Sequence, residues 1–151
     1  MKDSYHTFGE YMKKNEDSLT AAMEDYVEML YRLSLKTGCV KIGELSSALN
    51  VRPPSATKMI GRLAATGYIS YKKYGLIMLE DRGKEIGRRL IRRHEVIEAF
   101  MRLIGVHETE VLTETEKIEH TLSAETADCI ERLTAFFSGN PDILELYKAY
   151  R

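Results

Sequence analysis

The chain has 151 residues, 44% of them apolar, and its 22 Lys and Arg against 23 Asp and Glu leave a formal net charge of −1. That length suffices for one good core or two small ones, and no apolar run approaches the roughly 20 residues of a membrane helix. Its two cysteines, Cys39 and Cys129, form neither a zinc-like pair nor a disulfide framework. The polar start from Met1 to Thr20 lacks an apolar signal segment, so a reduced cytoplasm is the expected location.

Charge is unevenly spread. From Val40 to Arg93 there are 12 Lys and Arg against 4 Asp and Glu, and from His94 to Arg151 there are 5 against 12. A basic middle followed by an acidic end reads as two modules with different partners. Residues 1–18 have no clear period and read as an arm. From Leu19 to about Leu35, Ala22, Tyr26, Met29, Leu30 and Leu33 keep helical spacing, and Gly38 is placed to end that helix. A short helix is expected over Lys41–Leu49 with Ile42, Leu45, Ala48 and Leu49 inward. Asn50-Val51-Arg52 reads as a tight turn. A third helix starts at Pro53-Pro54, because proline is tolerated in a first helical turn, and buries Ala56, Met59, Ile60 and Leu63. Tyr68–Tyr71 and Leu76–Leu79 then read as a two-stranded hairpin with a basic tip. Asp81 is a candidate N-cap for a long helix to about Ile104. Helices over about Glu108–Leu122 and from a Ser123 cap to Phe137 follow, and a turn at Ser138–Pro141 leads into a short terminal helix.

Helix, short helix, turn, helix and basic hairpin is the order of a winged helix-turn-helix domain, whose second motif helix enters the major groove of DNA. The buried stripe of the third helix leaves Ser55, Thr57, Lys58 and Arg62 outward, with Arg52 and Pro53 at its entry. Hydroxyls and cations are the groups that reach phosphates and base edges. Lys72 and Lys73 at the hairpin tip could hold a neighbouring phosphate. A solvated basic face is the bland reading, but element order, charge and hairpin agree on DNA. For most of Arg88, Arg89, Arg92 and Arg93, a solvated helix face is the better reading.

The acidic half carries Glu116-Lys117-Ile118-Glu119-His120. Residues three and four apart share a helical face, so Glu116, Glu119 and His120 converge, as do Asp25 and Glu28 on the first helix. Carboxylates with an imidazole suit a divalent metal that takes oxygen and nitrogen ligands. Acidic helix faces and lone histidines such as His94 are nonetheless common as structural features.

The segments Met23–Glu28, Pro54–Met59, Gly83–Gly87, Arg93–Glu95, Ile104–Val106 and Ile118–His120 together resemble the DtxR/MntR family of metal-dependent transcriptional repressors. The resemblance runs from about Leu19 to Phe137, in order and with matching spacing, and is strongest to the manganese-responsive branch. It implies a mainly α fold: a winged helix-turn-helix DNA-binding domain (19–80) followed by an all-helical dimerisation and metal-binding domain (81–151). It implies the ligand set Asp25, Glu28, His94, Glu116, Glu119 and His120, able to hold a pair of ions. The iron- and diphtheria-toxin-type members have methionine where Asp25 stands and cysteine where Glu116 stands. Two hard ligands at these positions favour Mn²⁺, with Fe²⁺ the alternative left open. On this resemblance, a sequence that stops soon after the dimerisation helices is expected to lack the SH3-like domain of longer members, as in the short manganese-responsive type.

The expected protein is thus a homodimeric repressor of metal uptake genes. It would bind a palindromic double-stranded operator with metal as corepressor, and it would be neither a membrane protein nor an enzyme. The rival readings are a carboxylate-bridged metalloenzyme, for which no nucleophile motif or phosphate loop is found, and a metal-independent winged-helix regulator. Val96, Phe100, Leu103, Ile130, Leu133 and Phe137 are expected to divide between core and dimer interface.

Overall fold

The computed structural model describes residues 19–72 and 75–150; the expected arm (1–18) and Lys73 lie outside them. Helix α1 (Ala21–Thr37) starts where the Thr20 hydroxyl oxygen accepts a hydrogen bond from the Met23 amide, and ends at Gly38, whose φ of 72° closes the helix in the left-handed region. A two-residue strand β1 (Val40–Lys41) leads into α2 (Ile42–Ala48). Asn50, at φ 52°, makes the turn, a conformation that asparagine tolerates better than most residues. Helix α3 (Pro53–Ala65) begins with both prolines in its first turn.

Strands β2 (Ile69–Lys72) and β3 (Leu76–Leu79) form the expected hairpin, with Ile69 opposite Leu79 and Lys72 opposite Leu76. The sheet has a third strand that the sequence did not announce: β1 pairs antiparallel with β3, Val40 opposite Ile77, in the order β1-β3-β2. Two residues are too few to show an alternating pattern, and only the pairing with β3 makes them a strand.

Helix α4 (Asp81–Leu103) has 23 residues and is about 35 Å long at 1.5 Å per residue. Its N-cap is Glu80 rather than Asp81. Glu80 keeps extended backbone angles, while Asp81 sits inside the first turn and accepts a 3.0 Å hydrogen bond from Lys84. Helix α5 (Glu108–Ile118) also departs from expectation. It stops at Ile118 and tightens into a 3-10 turn (Glu119–Thr121), because Leu122 is extended and Ser123 already caps α6 (Ala124–Gly139). Helix α7 (Pro141–Ala149) follows.

Val27, Leu30, Leu45, Ala56, Ile60, Leu63 and Ile77 are fully buried in one cluster drawn from α1, α2, α3 and the sheet. Each large aliphatic among them contributes about 1.5–3 kcal/mol by leaving water. Ala22 and Ala48, expected inward, are exposed; Met23, Val27 and Ser46 take the buried positions. The Ser46 hydroxyl is tolerated there because it donates to the Gly43 carbonyl. Helix α1 lies close against α4, where a Cβ on Gly87 would stand 2.5 Å from Tyr31 Cβ; the start of α4 lies equally close to the segment before β2, where a Cβ on Gly83 would stand 2.1 Å from the Tyr68 carbonyl oxygen. Ile97, Val111, Thr115 and Ala127 are buried where α4, α5 and α6 pack. Of the residues expected to divide between core and interface, none is fully buried in the single chain, and Leu133 is exposed. With Phe136, Ile143, Leu146 and Tyr147 it gives α6 and α7 a large open apolar face.

Candidate metal centre and nucleic-acid face

The close approach of α1 to α4 brings Asp25 and Glu28 toward the buried His94, while the 3-10 turn carries Glu119 and His120 in from the other side. Glu119, only 2% exposed, is the centre. Its Oε2 lies 2.8 Å from His94 Nδ1 and its Oε1 lies 3.5 Å from His120 Nε2. His120 Nε2 lies 2.7 Å from Asp25 Oδ1. Glu116 Oε1 approaches His94 Nδ1 to 3.9 Å, with its side chain 53% exposed at the mouth of the cluster. Five of the six expected residues are therefore linked contact to contact. Glu28 accepts from Arg32 at 2.7 Å and is near enough to act electrostatically on His94 and Glu116.

The donor set is carboxylate and imidazole without sulfur, which fits a hard or borderline divalent cation. One ligand atom each from His94, Glu116 and Glu119 lie within 4.8 Å of one another. An ion at about 2.0–2.2 Å from each could close that space with small side-chain movements. The electrostatics agree. Burial, and then the neighbouring Glu119 carboxylate, push the Glu116 carboxyl above its usual range. The hydrogen bond to Glu119 raises the His94 imidazole, although burial opposes it. Hydrogen bonds to Asp25 and Glu24 push His120 up to about 10. Excess negative charge is thus gathered at one point, and it draws both imidazoles toward their protonated forms.

Two participants were not singled out from sequence. Glu24 Oε2 accepts from His120 Nδ1 at 2.7 Å and from Arg93 Nη2 at 2.6 Å. Burial pushes the Glu24 carboxyl up, but the bonds from His120 and Arg93 outweigh it and hold the group below its usual range. Their only sequence signal is position, Glu24 beside Asp25 and Arg93 beside His94. Arg88, Arg89 and Arg92 are exposed as expected, whereas Arg93 turns inward.

Arg52 and Pro53 at the start of α3, and Ser55, Thr57, Lys58 and Arg62 along it, are all exposed, and Lys72 is exposed at the end of β2. The Thr57 hydroxyl donates to the Pro53 carbonyl at 2.9 Å, so only its oxygen lone pairs remain to meet another molecule.

Comparison with known proteins identifies the family. Residues 18–76 match the N-terminal DNA-binding domain of the iron-dependent repressors, and residues 80–146 match their metal-binding and dimerisation domain. An HTH-type transcriptional regulator MntR from Lysinibacillus sphaericus is 39% identical over 130 residues, covering 86% of this chain and 94% of the relative. The chain belongs to the iron-dependent repressor family. Among solved structures, the metal-dependent transcriptional regulator MtsR superposes with a TM-score of 0.69 at 27% identity, over 78% of this chain and 55% of that one. IdeR from T. acidophilum gives 0.63 at 28%, over 77% and 55%. The chain thus spans little more than half the length of these two solved relatives. The family consists of transcriptional regulators and not enzymes, so the metalloenzyme reading is set aside. The chain is a metal-dependent DNA-binding repressor with a dimerisation domain. Among the described residues no helix is long and apolar enough to cross a membrane.

Proposed function

We propose that this repressor responds to Mn²⁺, acts in the cytoplasm on metal uptake genes, and binds a palindromic operator as a homodimer. The ligands would be Asp25, Glu28, His94, Glu116, Glu119 and His120, a donor set large enough to hold a pair of ions. Arg52, Pro53, Ser55, Thr57, Lys58, Arg62, Lys72 and Lys73 would face the DNA. The observation that carries the reading is the meeting of α1 carboxylates with the buried Glu119 and two histidines in a cluster that has no sulfur donor. Oxygen and nitrogen donors favour manganese over softer metals, and intrinsic affinity would still rank Zn²⁺ higher, so availability also matters. The resemblance to a relative called MntR supports the same choice.

When bound, the ion supplies positive charge at the convergence of α1, α4 and the 3-10 turn. The residues do the rest. Glu119 and His120 hold the turn against α1, and Asp25 and Glu28 tie α1 to it. This narrows the range of separations between the two recognition helices of a dimer, which must match half-sites about 34 Å apart. DNA affinity then rises by population shift.

Operator binding measured with and without Mn²⁺ tests the reading; equal affinity in both conditions would sink it. Glu116→Cys tests the metal assignment, since a thiolate at this position should move preference away from Mn²⁺. An unchanged ranking among Mn²⁺, Fe²⁺ and Zn²⁺ would count against the hard-ligand argument and leave the iron-responsive alternative standing.

A further inference from the structure

His120 is gripped on both ring nitrogens by consecutive residues of α1. Nε2 lies 2.7 Å from Asp25 Oδ1, and Nδ1 lies 2.7 Å from Glu24 Oε2. The two sides differ. The Nε2 side opens on the cluster, 3.5 Å from Glu119 Oε1. The Nδ1 side faces Glu24 and the Arg93 guanidinium. The Glu24 and Arg93 side chains are only 19% and 16% exposed, and His120 is 11% exposed. The three come from α1, α4 and the 3-10 turn, so their meeting is a product of the tertiary fold.

An imidazole ligates metal through one nitrogen while the other keeps its proton, and the hydrogen bond made by the second nitrogen decides which is which. Carboxylates face both nitrogens of the metal-free ring; a metal would displace the Nε2 proton shared with Asp25, while the carboxylate at Nδ1 would keep the other proton there. Arg93 holds that carboxylate in place, because its Nη2 donates to the same Oε2 that accepts from His120. The 3.4 Å approach of Arg93 to Nδ1 follows from this shared acceptor. Arg93 also keeps its Nε buried without a partner. An arginine turned out to solvent, like the exposed Arg88 and Arg89, would avoid that desolvation cost. His94 has no such backing: its outer nitrogen, Nε2, is 3.7 Å from Glu98 Oε1, beyond hydrogen-bond range. The arrangement is therefore particular to His120.

We propose that Glu24 and Arg93 are positioning residues for the metal centre, fixing His120 with Nδ1–H on Glu24 and Nε2 toward the ion. The inference rests on the metal reading above. The test compares wild type, Glu24→Ala and Glu24→Gln in three measurements: Mn²⁺ affinity by calorimetry, melting temperature of the metal-free protein, and the ¹⁵N spectrum of the His120 ring in protein loaded with diamagnetic Zn²⁺. Glu24→Ala should weaken Mn²⁺ binding about 10–100-fold, the usual range for a partner of a ligating histidine. Glu24→Gln, whose amide oxygen still accepts from Nδ1–H, should recover most of that loss. The ring spectrum should show one Nδ1–H form in wild type and a mixture in Glu24→Ala. Undiminished Mn²⁺ affinity in Glu24→Ala overturns the proposal. So does a loss shared equally by both variants, in step with melting temperature and with the ring form unchanged. If the alanine variant does not fold, Arg93→Lys replaces it: a mixed ring form with weaker Mn²⁺ binding supports the proposal, and an unchanged ring form and affinity overturn it. Glu119→Ala is the control for the underlying reading. If that variant binds Mn²⁺ as wild type does, the metal assignment has failed, whatever the Glu24 variants show.

Discussion

Replacing Gly87 by alanine should weaken the metal centre without touching any proposed ligand. The new Cβ would stand 2.5 Å from Tyr31 Cβ and 2.8 Å from its Cγ, where carbon atoms prefer about 3.5–4.0 Å. Tyr31 cannot relieve this by changing rotamer, because its Cβ is fixed to the backbone of α1. Helix α1 must therefore move by about 1 Å to restore contact distance. Overpacking of this kind costs about 1–3 kcal/mol, and the better helix propensity of alanine returns at most about 1 kcal/mol. At about 2–4 °C per kcal/mol for a chain of this size, the metal-free melting temperature should fall by a few degrees. Asp25 and Glu28 ride on the same helix as Tyr31, so drawing them back to His94 and Glu119 must work against the strain. If 1–2 kcal/mol of it is charged to binding, Mn²⁺ affinity drops by a factor of about 5–30. Calorimetric Mn²⁺ titration and thermal melting read both effects. Gly61→Ala is the matched control: Gly61 is in α3, a Cβ there meets nothing within 4 Å, and the change should stabilise by about 0.5–1 kcal/mol with Mn²⁺ affinity unchanged. The reasoning is refuted if Gly87→Ala is as stable as wild type and binds Mn²⁺ equally well.

Other outcomes follow from the same geometry. Removing the buried Glu119 carboxylate in Glu119→Ala deprives His94 of its 2.8 Å partner, and Mn²⁺ affinity should fall by more than the roughly 10–100-fold of an outer partner; a smaller loss by calorimetry would displace Glu119 from the centre. His120 sits at about 10 in the folded chain against 6.5 as its ordinary value. A raised folded value gives stability that is complete below the unfolded pKa and disappears as pH rises through the folded one. Melting temperature in chelator should therefore decline between about pH 6.5 and 10, more steeply than in His120→Gln; parallel curves would show that the grip of Asp25 and Glu24 adds nothing. Lys58→Ala on the exposed face of α3 should weaken operator binding and lower the salt slope by about 1 if Lys58 meets a phosphate; unchanged affinity would remove it from the interface.

Punctuation residues made much of the fold legible. Gly38 ends α1, Asn50 turns the chain at positive φ, Pro53 and Pro54 open α3, and Ser123 caps α6. Each acts through local backbone geometry, which sequence expresses directly. What escaped notice depends on packing. Strand β1 exists only because β3 lies beside it. The 3-10 turn at Glu119–Thr121 depends on how the chain must bend into α6. It changes the picture of the Glu116–His120 run, since its last two residues are not on the same α-helix as its first. Glu24 and Arg93 could not be separated by spacing from the other charges of α1 and α4; only the approach of the two helices pairs them. Helical period also misjudged Ala22 and Ala48, small residues that fit either face, and passed over Ser46, whose hydroxyl is satisfied within its own helix.

Helix α1 is the element through which metal could reach DNA. One face contributes Val27 and Leu30 to the cluster that also holds Ala56, Ile60 and Leu63 of α3. The other carries Glu24, Asp25 and Glu28 to the cluster of His94, Glu119 and His120. Close-packed interiors transmit displacement because they have little free volume to absorb it, so a shift of α1 is passed toward α3 through the core they share. In the proposed function the ion need not touch the recognition helix. Fixing α1 against α4 and the 3-10 turn fixes α3 relative to the dimerisation helices, and the separation between the two α3 helices of a dimer follows. The effect is limited by the difference in ion affinity between arrangements that suit the operator and those that do not. The Gly87→Ala and Glu24→Ala variants both act on that difference through α1, one by moving the helix and one by freeing His120 from it. Because they share that helix, their double mutant should not show simple additivity in Mn²⁺ affinity.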